Sequence, residues 1–381
     1  MKIALVTAYF YPTSRGGTEK YVLSLAKSLI KQHHEVHIIT TGTPNTIVSY
    51  EDITVHCLND ELSNDSDILS SRKAAGNLND FRSILSENKY DLVHFHTLTP
   101  AFNIFHISAA RRLNAEIHFT AHVPGITCIH GDLMQFGKQA CDGLIQKHRC
   151  TACYVSKKVP STPISKIIAK TVDVLNYPVS TATVVERKVE NLLKLNKLCD
   201  KVFLFTNWQK EIFIKNGFEP KKITITSQLL DIQLSPEIPV EKKVKVIGFV
   251  GRITQEKGLL ILIEAFKSAN RKDLQLHIAG IINDEKYFDR LKNVTANDSN
   301  IHWKVNLSEA QIDSFYGKID TIIIPSLTYE TGPYVLHEAF EKNIPVIANN
   351  LGDMDIWREK GFNIKIYNSI TELKNYLKLL D

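Results

Sequence analysis

Two glutamates, Glu330 and Glu338, stand eight positions apart around a Gly-Pro in the stretch Pro325-Ser-Leu-Thr-Tyr-Glu-Thr-Gly-Pro-Tyr-Val-Leu-His-Glu338. The preceding Asp320-Thr-Ile-Ile-Ile324 is apolar, β-branched and closed by Pro325, the pattern of a buried strand. Beyond Gly332, the residues Val335, Leu336, Ala339 and Phe340 fall on one helical stripe. Pro333 suits the first helical position, where a missing N–H costs nothing. Glu330 is therefore expected in a strand-to-helix loop and Glu338 about a turn and a half into the helix. Both could face one ligand lying across the helix N-terminus.

A second stretch points to an anion. Gly251-Arg-Ile-Thr-Gln-Glu-Lys-Gly258 follows an apolar strand pattern and precedes a helix pattern. Such a loop offers backbone N–H groups and a helix N-terminus to a phosphate. Arg252 would add a planar fork and Lys257 a point charge. Near the start, Gly16-Gly17 sits just before another helix, where the backbone must turn sharply or approach a ligand. The G-x-G-x-x-G fingerprint is missing from that first strand-to-helix turn, which argues against a dinucleotide oxidoreductase.

The elements that must position these residues alternate along the chain. Ile3–Thr7, His34–Thr40, Asp91–Phe95, Ile117–Ala121 and Lys201–Phe205 read as strands, and Glu19–Lys31 as a helix with Val22, Leu25, Ala26 and Leu29 inward. A stretch at about 128–176 breaks the rhythm and holds most of the cysteines. Asp231 to Lys243 is polar with two prolines and reads as a linker. A second series follows: strands at Val244–Val250, Leu274–Ala279, Asp320–Ile324 and Pro345–Ala348, and helices at Leu259–Ser268, Asp284–Asn293, around Glu338 and from Thr371. Short apolar runs with helices between them imply parallel sheets covered on both faces. The expectation is α/β, with two Rossmann-like doubly wound domains, 1–230 and 231–381, facing a cleft, and ligands at the carboxyl ends of their strands.

Composition sets outer bounds. A chain of 381 residues suggests two domains, and 44% hydrophobic with 23% charged residues is ordinary for a globular protein. No run is long and apolar enough for a membrane span. Met1-Lys-Ile-Ala-Leu-Val runs straight into strand pattern without a small-residue cleavage site, so a cytoplasmic location is expected. The net charge is +5, yet residues 138–222 carry 16 Lys and Arg against 7 Asp and Glu. That basic segment fits an anionic acceptor or an anionic membrane surface, at the inner face of the membrane. It contains no nucleic-acid recognition module.

Taken together, the sequence resembles the retaining, nucleotide-sugar-dependent glycosyltransferases of family 4, which have the GT-B fold. Four landmarks occur in order: Gly16-Gly17, the His of Thr120-Ala-His122, the Gly-Arg-x4-Lys-Gly loop, and Glu330-x7-Glu338 followed by Ala339. The resemblance implies that Gly251, Arg252 and Lys257 bind the donor diphosphate, with the two cations stabilising it as a leaving group. Glu330 would accept from donor-sugar hydroxyls. Thr331 and the backbone of Gly332, Pro333, Tyr334 and Val335 would hold a phosphate, and Glu338 would take the ribose hydroxyls. A carboxylate is a double acceptor suited to vicinal hydroxyls, so one on each side of an anion-binding helix end makes sense. His122 would lie near the donor sugar, and Gly16 and Gly17 would face the diphosphate or the acceptor. His122, Glu330, Arg252 and Lys257 are thus the candidate catalytic residues. No protein nucleophile and no catalytic metal are implied, because the leaving phosphate can receive the acceptor proton.

This chain departs from the family where Val123 replaces the Asp that commonly follows the His, and where a single short helix ends the sequence. The resemblance implies a nucleoside-diphosphate sugar as donor and a glycan or lipid-linked acceptor, as in bacterial surface polysaccharide or glycoconjugate synthesis. Rival expectations are a nucleotide-sugar epimerase on a similar scaffold and a catalytically degenerate scaffold protein. Two Asp-x-Asp triplets, Asp65-Ser-Asp67 and Asp353-Met-Asp355, read as coincidence. Cys128, Cys141, Cys150 and Cys153 could form a structural zinc or iron–sulfur site, with His130 and His148 as spare ligands. Reduced buried thiols are the alternative, and Cys57 and Cys199 read as ordinary buried thiols.

Overall fold

The computed structural model describes residues 1–14, 16–59, 68, 71–137, 139–156, 167, 180–227 and 243–380. The chain divides into two compact units, 1–232 and 233–381. Asp65-Ser-Asp67 and most of the linker expected from Asp231 lie outside the described residues, as does the 157–179 part of the cysteine-bearing stretch apart from residue 167.

In the first unit the strands are β1 (Lys2–Val6), β2 (Glu35–Gly42), β3 (Thr46–Tyr50), β4 (Ile53–Asn59), β5 (Leu92–His96), β6 (Glu116–Thr120), β9 (Lys201–Leu204) and β10 (Ile223–Ile225). They form one sheet in the order β10-β9-β6-β5-β1-β2-β4-β3. The β3–β4 pair is antiparallel and every other neighbour is parallel. A hairpin of β7 (Met134–Gln135) and β8 (Gln139–Ala140) stands apart. The helices are α1 (Gly17–Lys31), α2 (Leu78–Asn88), α3 (Ile104–Arg112), α4 (Lys147–Ser156), α5 (Ser180–Leu198) and α6 (Asn207–Lys215).

Alternation along β1 explains its two-sided burial. Ile3 and Leu5 face α1 in one core, while Ala4 and Val6 face α2, α3 and α5 in the other. The strand order runs outward from β1 on one side and from β5 on the other. The switch point therefore lies between β1 and β5.

Among the described residues the second unit has six parallel strands: β11 (Val246–Ile253), β12 (Gln275–Ile282), β13 (Ile301–Val305), β14 (Thr321–Ile324), β15 (Val346–Asn349) and β16 (Ile364–Tyr367). Their order is β13-β12-β11-β14-β15-β16, with the switch between β11 and β14. Its helices are α7 (Leu259–Ala269), α8 (Glu285–Thr295), α9 (Glu309–Tyr316), α10 (Tyr334–Glu341), α11 (Asp355–Glu359) and α12 (Ile370–Lys378). The helices α7, α8 and α12 cover one face, and α9 and α10 the other. The terminal helix expected from Thr371 packs on α7 through Leu373 and Leu377. Arg271 Nη1 reinforces this by donating to the carbonyls of Lys378 (3.0 Å) and Leu380 (2.8 Å).

Candidate functional site

The strand β11 runs through Gly251 and Arg252 to Ile253, pairing Gly251 with Gly280 of β12. The anion loop expected from Gly251 thus begins later, at Thr254, because two flat glycines let the ladder continue. A Cβ on Gly280 would sit 2.7 Å from the Gly251 carbonyl oxygen. After one 3-10 turn at Gln255–Lys257, Gly258 adopts φ +71° and starts α7. A Cβ on Gly258 would meet the Pro325 carbonyl oxygen at 1.9 Å, so no other residue fits without backbone movement.

That close approach ties together the two loops at the switch point. Leu327 N donates to the Glu256 carbonyl at 2.8 Å. Lys257 Nζ reaches Glu330 Oε1 at 2.7 Å, and Ser326 Oγ donates to the same oxygen. Both charged side chains are largely shielded, at 21% and 12% exposure. Glu330 and Lys257, read separately in the sequence, form one ion pair. Arg252 projects into solvent from the end of β11.

Pro333 caps α10 rather than opening it, with ψ 136°, and the helix starts at Tyr334. Pro333 itself offers no side-chain cap. Thr331, Gly332, Tyr334 and Val335 are half-buried, and Gly332 takes φ +93°. Leu336, Ala339 and Phe340 are buried as the stripe predicts. Glu338 Oε2 accepts from Tyr316 Oη at 2.7 Å. Burial and the neighbouring carboxylate push the Tyr316 phenol far above its usual range, so it stays a donor. Tyr316 had no signal in the sequence, because α9 reaches Glu338 through tertiary packing alone. Asp353 and Asp355 sit in a turn and at the start of α11.

In the first unit, His122 follows β6 and is buried. The Gln209 amide donates to the Ala121 carbonyl at 2.9 Å, and His122 N donates to Thr97 Oγ1 at 3.3 Å. The ring nitrogen His122 Nε2 lies 3.1 Å from His96 Nδ1, and the Tyr21 ring packs edge-on at 5.0 Å. Burial lowers His122 to about 3, so it is a neutral imidazole. His96 is stacked on His94 at 4.3 Å and is also held neutral by burial. The sequence reading missed His96, although Leu92-Val-His-Phe-His96 showed two polar rings inside a buried strand. Val123, in place of the expected Asp, is exposed.

Gly16 is the N-cap of α1, and Glu19 folds back over it. Ser14 Oγ donates to Glu19 Oε1 at 2.5 Å, and a Cβ on Gly16 would lie 2.7 Å from Glu19 Oε2. A carboxylate therefore already lies against the helix end beside Gly16 and Gly17.

Cys128, Cys141, Cys150 and Cys153 line one cavity of about 20 Å3, together with residues of the hairpin and α4. His130 and His148 do not line it, and His130 instead pairs with Asp132 at 2.7 Å. Burial raises the Cys141, Cys150 and Cys153 thiols, the last to about 11, so none is a ready nucleophile. Cys199 is buried as expected, whereas Cys57 is only half-buried.

Two parallel, doubly wound units of this kind recur in HepE of Anabaena. Its structure in complex with UDP and glucose matches with a TM-score of 0.63 at 14% identity, covering 99% of this chain and 89% of that one. The fold is that of the GT-B glycosyltransferases. Residues 232–379 match the family described as Glycosyl transferases group 1, and residues 15–155 match Glycosyltransferase Family 4. The chain belongs to the GT-B glycosyltransferases of the family 4 type. It is 25% identical over 373 residues to an uncharacterised glycosyltransferase of Methanocaldococcus jannaschii, covering 96% of this chain and 85% of that one. It is 26% identical to an uncharacterised protein in the cps region of Klebsiella pneumoniae, covering 92% and 86%. Among the described residues no helix is long and apolar enough to cross a membrane.

Proposed function

We propose that this glycosyltransferase moves a hexosyl group from a nucleoside-diphosphate sugar to a glycan or lipid-linked acceptor with retention, in surface polysaccharide or glycoconjugate synthesis. The observation that carries the reading is the Lys257–Glu330 pair, fixed at the switch point of the second unit by Gly258 against Pro325. A cation and a carboxylate in contact match a ligand whose diphosphate and sugar hydroxyls are adjacent. On binding, Lys257 turns to the phosphate and Glu330 to the hydroxyls.

Arg252 supplies a second cation to the diphosphate. Backbone N–H groups at the start of α10, from Gly332, Tyr334 and Val335, receive phosphate oxygens. Glu338, steadied by Tyr316, accepts from the ribose. Lys257 and Arg252 stabilise negative charge as it develops on the leaving diphosphate, which is where electrostatic preorganisation lowers a barrier most. The departing phosphate oxygen then takes the acceptor proton, so no protein base is required. His122, in the first unit, is kept a neutral imidazole by burial. The Glu19 carboxylate beside Gly16 favours a hydroxyl-bearing acceptor over a second anion there.

Titration calorimetry against a panel of nucleoside diphosphates and their sugars tests this. One donor should bind, and Glu330→Ala and Lys257→Ala should each weaken it about tenfold or more, since a charge-assisted hydrogen bond contributes roughly 1.5–3 kcal/mol. Binding unaffected by both substitutions would remove the donor site from this position. Product analysis with donor alone separates transfer from epimerisation.

A further inference from the structure

We infer that Cys128, Cys141, Cys150 and Cys153 bind one structural zinc ion as four thiolates. Three observations converge on this. The first is space. The four cysteines line one cavity of about 20 Å3, room for a water-sized occupant.

The second is the direction of the surrounding backbone. Gly131 N donates to Cys128 Sγ at 3.3 Å, Phe136 N to Cys153 Sγ at 3.2 Å and Gln146 N to Cys150 Sγ at 3.3 Å. Gly131 reaches its position with φ of +95°. A neutral thiol is a weak acceptor, so these three N–H groups suit thiolates and supply outer contacts of the kind a metal ligand needs.

The third is charge. Four thiolates around a dication carry a formal net charge of about minus two. Arg149 lines the same cavity as the four cysteines. Arg149 is also braced by Asp142 at 2.6 Å, and Lys188 Nζ donates to the Gly125 carbonyl.

Topology adds a reason for a staple. The ligands come from the turn after Pro124–Ile126, from the end of the β7–β8 hairpin and from two positions three apart on α4. These short elements have little core of their own. Among the described residues no three such side chains are yet arranged as a finished metal site, so binding requires the sulfurs to close on the ion. Each thiol gives its proton to solvent as its sulfur–zinc bond forms, and nothing is oxidised or reduced.

The test is elemental analysis of the full chain purified under reducing conditions from zinc-supplied cells. About one zinc per chain is expected. Cobalt exchanged into the site should give a strong thiolate-to-cobalt charge-transfer band. Cys150→Ser should lower zinc content several-fold and abolish that band, and Cys57→Ser should leave both unchanged. A chelator should lower the parent's melting temperature. If Cys150→Ser does not fold, the parent's metal count and cobalt spectrum still decide. Zinc well below one per chain with all thiols titrating freely, intramolecular disulfides by mass, or iron with labile sulfide would each overturn the assignment.

Discussion

The residues that matter most here act in pairs. Glu338 is held by Tyr316 Oη at 2.7 Å, so the ribose carboxylate proposed here is oriented before any ligand arrives. Removing the phenol keeps the carboxylate but frees its rotamers, which costs roughly 0.5–1.5 kcal/mol of ordering on binding. Tyr316→Phe should therefore weaken nucleotide binding about three- to tenfold, with the melting temperature changed little because the ring stays in the core. Calorimetry beside a thermal melt checks this, and an unchanged affinity would make the Tyr316–Glu338 contact incidental. Spacing marked Glu330, Glu338, Lys257 and Arg252 as candidates, and the family resemblance supplied their roles. The sequence was silent on Tyr316 and on His96, the neighbour of His122, which are brought in by contacts between distant elements. The reading also passed over Ser326, which lies in the same loop as Glu330.

At the scale of elements, strand–loop–helix units were legible wherever apolar runs were short and ended in Gly or Pro. The strand β14 ends before Pro325, and α7 starts after Gly258, as the pattern required. The errors have local causes. The strand β11 outran its expected end at Val250 because Gly251 lies opposite Gly280, and two glycines pack as extended backbone while reading as a turn. The edge strand β3 is short and mostly exposed, and β13 and β16 interleave polar with apolar residues, so none gave a clear apolar run. Gly258 is the point where two loops share one space. Gly258→Ala should collide with the Pro325 carbonyl and strain a left-handed backbone, destabilising the protein by several kcal/mol. A thermal melt should show a clear drop, together with loss of nucleotide affinity. A variant of parental stability would mean that the loops can separate freely.

Across the whole molecule, buried histidines set the acid limit. Burial lowers His106 and His122 to about 3 and His56 and His337 to about 4, with His94 and His96 also well below 6.5. The unfolded chain protonates these groups near 6.5 while the folded chain does not. Stability is thus complete above that pH and falls as pH drops toward 3 or 4, by about 1.4 kcal/mol per pH unit for each histidine. The melting temperature should be flat above pH 7 and fall steeply from pH 6 to 5, and His122→Asn should make that fall shallower. An acid slope untouched by His122→Asn would mean that this ring protonates in place. For the protein working amid millimolar bystander anions, the Lys257–Glu330 contact has a further effect. A lysine already matched by its own counterion is a poor trap for free phosphate, which offers nothing to the displaced carboxylate. Ligand entry becomes an exchange of partners, and a molecule bearing both an anion and neighbouring hydroxyls completes it at the smallest cost.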